Sequence, residues 1–166
     1  MNTNPRLQLK PSSLDQLLET TAWITLVSLW AITLYHYSNL PDSIPTHYNL
    51  EGRPDSYGRK ATLLLLPIIG TAISAIFTLL HKYEIVFLLP GKVTKDSNPK
   101  QHALATRSLR IFKLGILINF LVITWNTISI ATGQTNGIGW WLPVSAICFM
   151  VLPTAYFIVR AVQLSK

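Results

Sequence analysis

The sequence predicts an all-α integral membrane protein, a four-transmembrane-helix bundle with an ordered extracytoplasmic loop between helices 1 and 2. Three observations carry this. Of the 166 residues, 49% are hydrophobic and only 13% charged, and the charges gather in short zones. Residues 61–80 carry no formal charge, and neither do the 46 residues from Leu114 to Val159. A bilayer core needs about 20 apolar residues in a helix, so runs of this length predict spans, not the core of a soluble domain. The third observation is how Lys and Arg distribute between the zones.

The whole chain, residues 1–166, is expected to form one membrane domain. Residues 1–19 open it as a polar tail with a short amphipathic helix. Ser13 and Gln16 have capping-box spacing, and Leu14, Leu17 and Leu18 form an apolar stripe. The run that follows is too long for a signal-peptide core and has no clear small-residue cleavage site, so it is expected to stay as span 1, residues 20–38. Residues 39–60 form an outward loop and 61–81 span 2. Residues 82–111 are a basic loop and helix start, where Asn98-Pro99-Lys100-Gln101 reads as N-cap, first-turn proline and capping-box glutamine. Span 3 covers 112–132. GQTNGIG, residues 133–139, is a short outward turn, and span 4 covers 140–160 with Pro143 and Pro153 as kink positions and Trp140 and Trp141 at an aromatic belt. Residues 161–166 form a short tail.

Eleven Lys and Arg fall on the side of the termini and the 82–111 loop with its flank at Lys113, against three in the 39–60 loop and none in 133–139. The positive-inside rule then puts both termini in the cytoplasm of a multi-pass protein of the inner (plasma) membrane. It also explains the net charge of +7 as a topology signal, not a nucleic-acid surface. Lys100, Arg107, Arg110 and Lys113 make a basic juxtamembrane stripe, a face for anionic lipid or a cytoplasmic partner. Within the spans, Pro67, Gly70, Thr71, Ser74 and Thr78 share a face, as do Gly115, Asn119, Val122, Asn126 and Gly133. Close helix packing, with asparagines bonding across the contact, is the expected reason. Cys148 is expected to be a small buried hydrophobe, and as the single cysteine it permits no internal disulfide.

The 39–60 loop is the chemically rich segment. LPDSIPTHYNLEGRPDSYGRK holds six formal charges, three prolines, two glycines and a histidine. Asn49-Leu50-Glu51-Gly52 can reverse the chain with Gly52 at positive φ, and Asp55 or Ser56 can cap span 2. Three readings stay open: a cap sealing the bundle, in which Asp42, His47 and Asp55 satisfy one another; a surface recognising a ligand, with Arg59 and Lys60 near a helix N-terminus; and a metal or acid–base site at His47 with a carboxylate. No zinc-ligand spacing or nucleophile motif supports the last, so no catalytic residue, metal or cofactor is expected.

Leu40, Pro41, Ile44, Pro45, His47, Asn49, Gly52, Asp55 and Lys60 together resemble the signature of domain of unknown function 1648. NPKQHALATRSLRIFK is similar to the basic helix start of its single-domain bacterial members. That domain also stands at the N-terminus of SdpI-type immunity proteins, which carry further spans, guard a cell against a secreted peptide toxin and relay its presence by tethering a repressor. The resemblance implies a non-enzymatic immunity-like or receptor role. Tyr48, Tyr57, Arg59 and Lys60 would meet a peptide or lipid outside, and His47, Asn49 and Asp55 would shape the loop. The alternatives are a membrane-surface enzyme using His47 and Asp55, or a structural or assembly subunit of an oligomer or membrane complex.

Overall fold

The computed structural model describes residues 11–82, 99–137 and 139–164. Four α-helices frame it: α1 (Ser13–Tyr37), α2 (Leu65–Lys82), α3 (Pro99–Ala131) and α4 (Trp141–Leu164). Between α1 and α2 lie β1 (Ser43–Tyr48), β2 (Pro54–Arg59) and a 3-10 turn, Lys60–Leu64. Among the described residues, three stretches are long and apolar enough to cross a membrane: Ser13–Tyr37, Lys60–Leu80 and Ala103–Ala131. In α4 the apolar stretch, Ile147–Arg160, is shorter.

These helices expose what soluble helices bury. Only 28%, 22% and 33% of the three apolar windows are covered by protein. Ile24, Val27 and Leu34 on α1, Ile68, Ile76 and Leu79 on α2, and Ile147, Val151 and Leu152 on α4 all point outward. Lipid, not water, suits such an exterior.

The start of α1 differs from expectation by one residue. Ser12 is the N-cap, and Asp15 closes the capping box that Ser13 and Gln16 were expected to form. Asp15 places a carboxylate at the positive helix end, which the neutral Gln16 cannot do. The helix then runs unbroken into its apolar part, because no Gly or Pro interrupts 13–37. Because α1 is continuous from Ser13, the short helix expected within 1–19 is its first turns and not a separate element. The inward face is Asp15, Ala22, Leu26, Leu29 and Thr33.

The all-α expectation also needs correction. Residues 39–60 hold an antiparallel hairpin, with Ser43 opposite Arg59, Ile44 opposite Gly58 and His47 opposite Ser56, and irregular register around His47. Both strands are edges, so Pro45 and the strand-opening Pro54 cost no central ladder bond. An isolated two-stranded sheet is marginal. This one is docked: Leu40, Ile44, Leu63 and Ile128 bury together, with Ile32 and Ala131 against them. Asp55 and Ser56 lie inside β2 and do not cap the next helix. Arg59 takes the N-cap position with no side-chain cap bond.

Below the hairpin, α1, α2 and α3 converge on a second cluster of Ala22, Leu26 and Leu117. A Cβ on Gly70 would meet Leu117 at 3.2 Å and Leu26 and Leu29 at 3.5 Å, so the small residue permits the approach as expected. Trp30 donates to Thr71 across the α1–α2 contact at 2.9 Å. The asparagines depart from expectation: Asn119 and Asn126 donate to the carbonyls of Gly115 and Val122 on their own helix. Cys148 is exposed on the outer face of α4, not buried. The expected start of α3 at Pro99 is observed, while Asn98 lies outside the described residues. Between α3 and α4 the described residues 133–137 and 139 lie outside the helices, with Gly133 and Gly139 at positive φ.

Candidate recognition surface at the hairpin end

The hairpin is held at three levels. At its base, Lys60 Nζ donates to the Leu40 carbonyl and pairs with Asp42, both at 3.3 Å. Midway, the hydroxyls of Tyr48 and Thr127 on α3 share a 2.7 Å hydrogen bond. Burial pushes the Tyr48 phenol above its ordinary pKa, although the Thr127 bond pulls the other way. At the tip, Asn49 Oδ1 accepts from the backbone N–H of Glu51 and of Arg53, and Gly52 N–H donates to the Asn49 carbonyl. This is an Asx-type reversal with Gly52 at φ +75°, as expected from Asn49 and Gly52. The tip rests on the α3–α4 turn, since a Cβ on Gly52 would lie 2.5 Å from the Gly139 carbonyl oxygen.

The nine residues singled out by sequence therefore divide. Asn49 and Gly52 make the turn. Tyr48 and Lys60 tie the hairpin to the bundle, and Asp42 pairs with Lys60, not with His47. His47 Nδ1 lies 2.6 Å from Asp55 Oδ1, and both side chains are largely exposed. Tyr57 and Arg59 also face outward. The free face is thus His47, Asp55, Tyr57 and Arg59, an aromatic ring and a guanidinium beside an imidazole–carboxylate pair. Among the described residues no group of three or more His, Cys, Asp or Glu side chains could hold a metal.

Tyr48→Phe tests the midway tie. Loss of this half-buried bond should cost about 1 kcal/mol, read as a lower unfolding midpoint and faster amide exchange in β1.

At the opposite end, three cations of the basic stripe, Arg107, Arg110 and Lys113, turn toward acids on α1, while the Lys100 side chain lies outside the described residues. Arg107 Nε donates to Asp15 Oδ1 at 3.0 Å, and the same guanidinium reaches the Ser12 hydroxyl at 3.1 Å. Arg110 lies 3.5 Å from Asp15 and 4.0 Å from Glu19. Lys113, only 1% exposed, bonds Glu19 and sits 5.8 Å over the Trp23 ring. Sequence reasoning named the three cations and missed Asp15 and Glu19. The available signal was acids at i and i+4 on α1 facing cations at i, i+3 and i+6 on α3, both at the same predicted membrane side.

Residues 24–71 match the family model of a domain of unknown function (DUF1648). The match takes in most of α1, the whole hairpin, the 3-10 turn and the start of α2. An uncharacterized protein of Archaeoglobus fulgidus is similar, 36% identical over 76 residues, which is 41% of this chain and 42% of that protein. The chain thus matches less than half the length of that relative. No solved structure matches the chain. The stretch of this chain that matches the DUF1648 domain, residues 24–71, thus holds the whole hairpin and its base tie at Lys60.

Proposed function

We propose that this chain is a non-enzymatic protein of a bacterial inner membrane, immunity-like or receptor-like, whose hairpin recognises a peptide or lipid outside the cell. The single supporting observation is that the hairpin is fastened at base, middle and tip yet leaves Tyr57 and Arg59 exposed beside the His47–Asp55 pair. A segment this constrained loses little conformational freedom when a ligand orders it. The ring offers an apolar, stackable surface, and the guanidinium offers a fork for a carboxylate or phosphate. The Lys/Arg imbalance supports an outward hairpin and cytoplasmic termini. In this reading Lys60 acts as a structural tie beneath Arg59.

The test is native mass spectrometry of the full chain released from its membrane in mild detergent. Wild type should carry a lipid or peptide mass that the Tyr57→Ala/Arg59→Ala double variant loses, at unchanged abundance. Identical spectra for the two would refute recognition. The same ties also favour a second reading, a purely structural cap. In that case the double variant changes nothing, while Tyr48→Phe and Gly52→Ala lower stability.

A further inference from the structure

We infer that the hairpin tip is a membrane-interface anchor: Leu50, together with Trp140 and Trp141, sits at the boundary between headgroups and acyl chains beside the start of α4. This is separate from ligand recognition and stands or falls without it.

Each strand has six residues, about 20 Å of chain. The base of the hairpin packs on Ile32 and Ile128, its middle is tied to Thr127, and its tip touches Gly137 and Gly139. The hairpin therefore crosses the end of the bundle and ends beside Trp140. The turn carries Leu50, 89% exposed, and next to it Trp140 and Trp141 are 68% and 48% exposed. One exposed leucine on a soluble protein would call for no explanation. Here three large exposed side chains lie within two residues of the Gly52–Gly139 approach, and the apolar exterior continues along α4 at Val144, Ile147 and Val151. Indole rings favour the headgroup level, where one edge is apolar and the other wet.

The turn is also built for partial desolvation. Backbone donors entering a water-poor layer must have partners. Four of the five N–H groups from Asn49 to Arg53 are satisfied within the turn, those of Asn49, Glu51, Gly52 and Arg53, by the Arg53 carbonyl, Asn49 Oδ1, the Asn49 carbonyl and Asn49 Oδ1 again, and the Leu50 N–H alone among them is left to water or a headgroup. The flanking Glu51 and Arg53 remain exposed, as charges beside headgroups should. The partner is thus a lipid surface.

The test uses the full chain with Cys148→Ser, reconstituted in phosphatidylcholine–phosphatidylglycerol vesicles. A nitrobenzoxadiazole dye is attached at Leu50→Cys or, as a control near the hairpin base, at Ser43→Cys. Dye at position 50 should emit to the blue of dye at 43. Lipid spin-labelled high on its acyl chain should quench it, and aqueous iodide should not. Water-like emission with equal iodide quenching at both positions would overturn the anchor. So would a blue shift that fades as protein is diluted in lipid, because a second copy would then be covering Leu50.

Discussion

Glu19→Leu is expected to destabilise the chain by about 3–5 kcal/mol, the usual cost of stranding a buried charge. Lys113 is 1% exposed, and Glu19 is its carboxylate partner. With Glu19 gone, the ammonium keeps only the Trp23 ring at 5.8 Å, and no other carboxylate is within ion-pair distance among the described residues. Lys113→Met should cost less. The Glu19 carboxylate is 29% exposed and keeps a hydrogen bond from Trp23 Nε1 at 3.1 Å and the Arg110 guanidinium at 4.0 Å. The double variant should recover much of the loss, because an apolar pair suits the site better than a lone charge. Reversible unfolding of all four proteins in mixed micelles gives the cycle. A Glu19→Leu protein within about 0.5 kcal/mol of wild type would show that the α1–α3 junction does not depend on this pair.

Gly52→Ala should detach the hairpin tip. Its φ of +75° is a conformation that side chains resist, at about 1–3 kcal/mol. The added methyl would also lie 2.5 Å from the Gly139 carbonyl oxygen and 2.6 Å from its nitrogen. Both obstacles are main chain, so no side chain can swing aside. Gly133→Ala is the internal comparison. It has φ +76° but nothing within 4 Å of the new carbon, so it carries backbone strain alone. Amide exchange across 43–59 and proteolysis at Arg53 should rise sharply for Gly52→Ala and little for Gly133→Ala. Equal behaviour would mean that the tip contact contributes nothing.

The helices and their approximate bounds were legible because a charge-free run is a blunt signal that survives without knowledge of packing. Residues 61–80 announce themselves. The Asn49–Gly52 reversal and the 133–139 turn were legible too, since positive φ is a local demand met by Gly. The strands were not. Ile44 and Pro45 are adjacent and both buried, so β1 lacks the alternation that marks a strand, and register irregularities on either side of His47 disturb what remains. The hairpin owes its stability to Leu63 and Ile128, which lie in other elements. Half the candidate site was readable for the same reason. The His47–Asp55 pair lies within one hairpin, whereas Tyr48 finds Thr127 across 79 positions. The inward turn of Arg107 and Lys113 needed partners 92 and 94 positions away, beyond the reach of any local pattern.

The central place of α3 bears on how the chain is made. α1 and α2 touch each other much less than each touches α3, which also meets α4 and β1. Synthesis runs from the N-terminus, so the first two apolar segments enter the bilayer as a loosely joined couple. Asp15 and Glu19 then wait for Arg107, Arg110 and Lys113, and Tyr48 waits for Thr127, until the ribosome delivers the third segment. Its arrival supplies the cations for one end and the hydroxyl for the other in a single insertion. Quality-control proteases that survey half-built membrane proteins would have their opening in that interval.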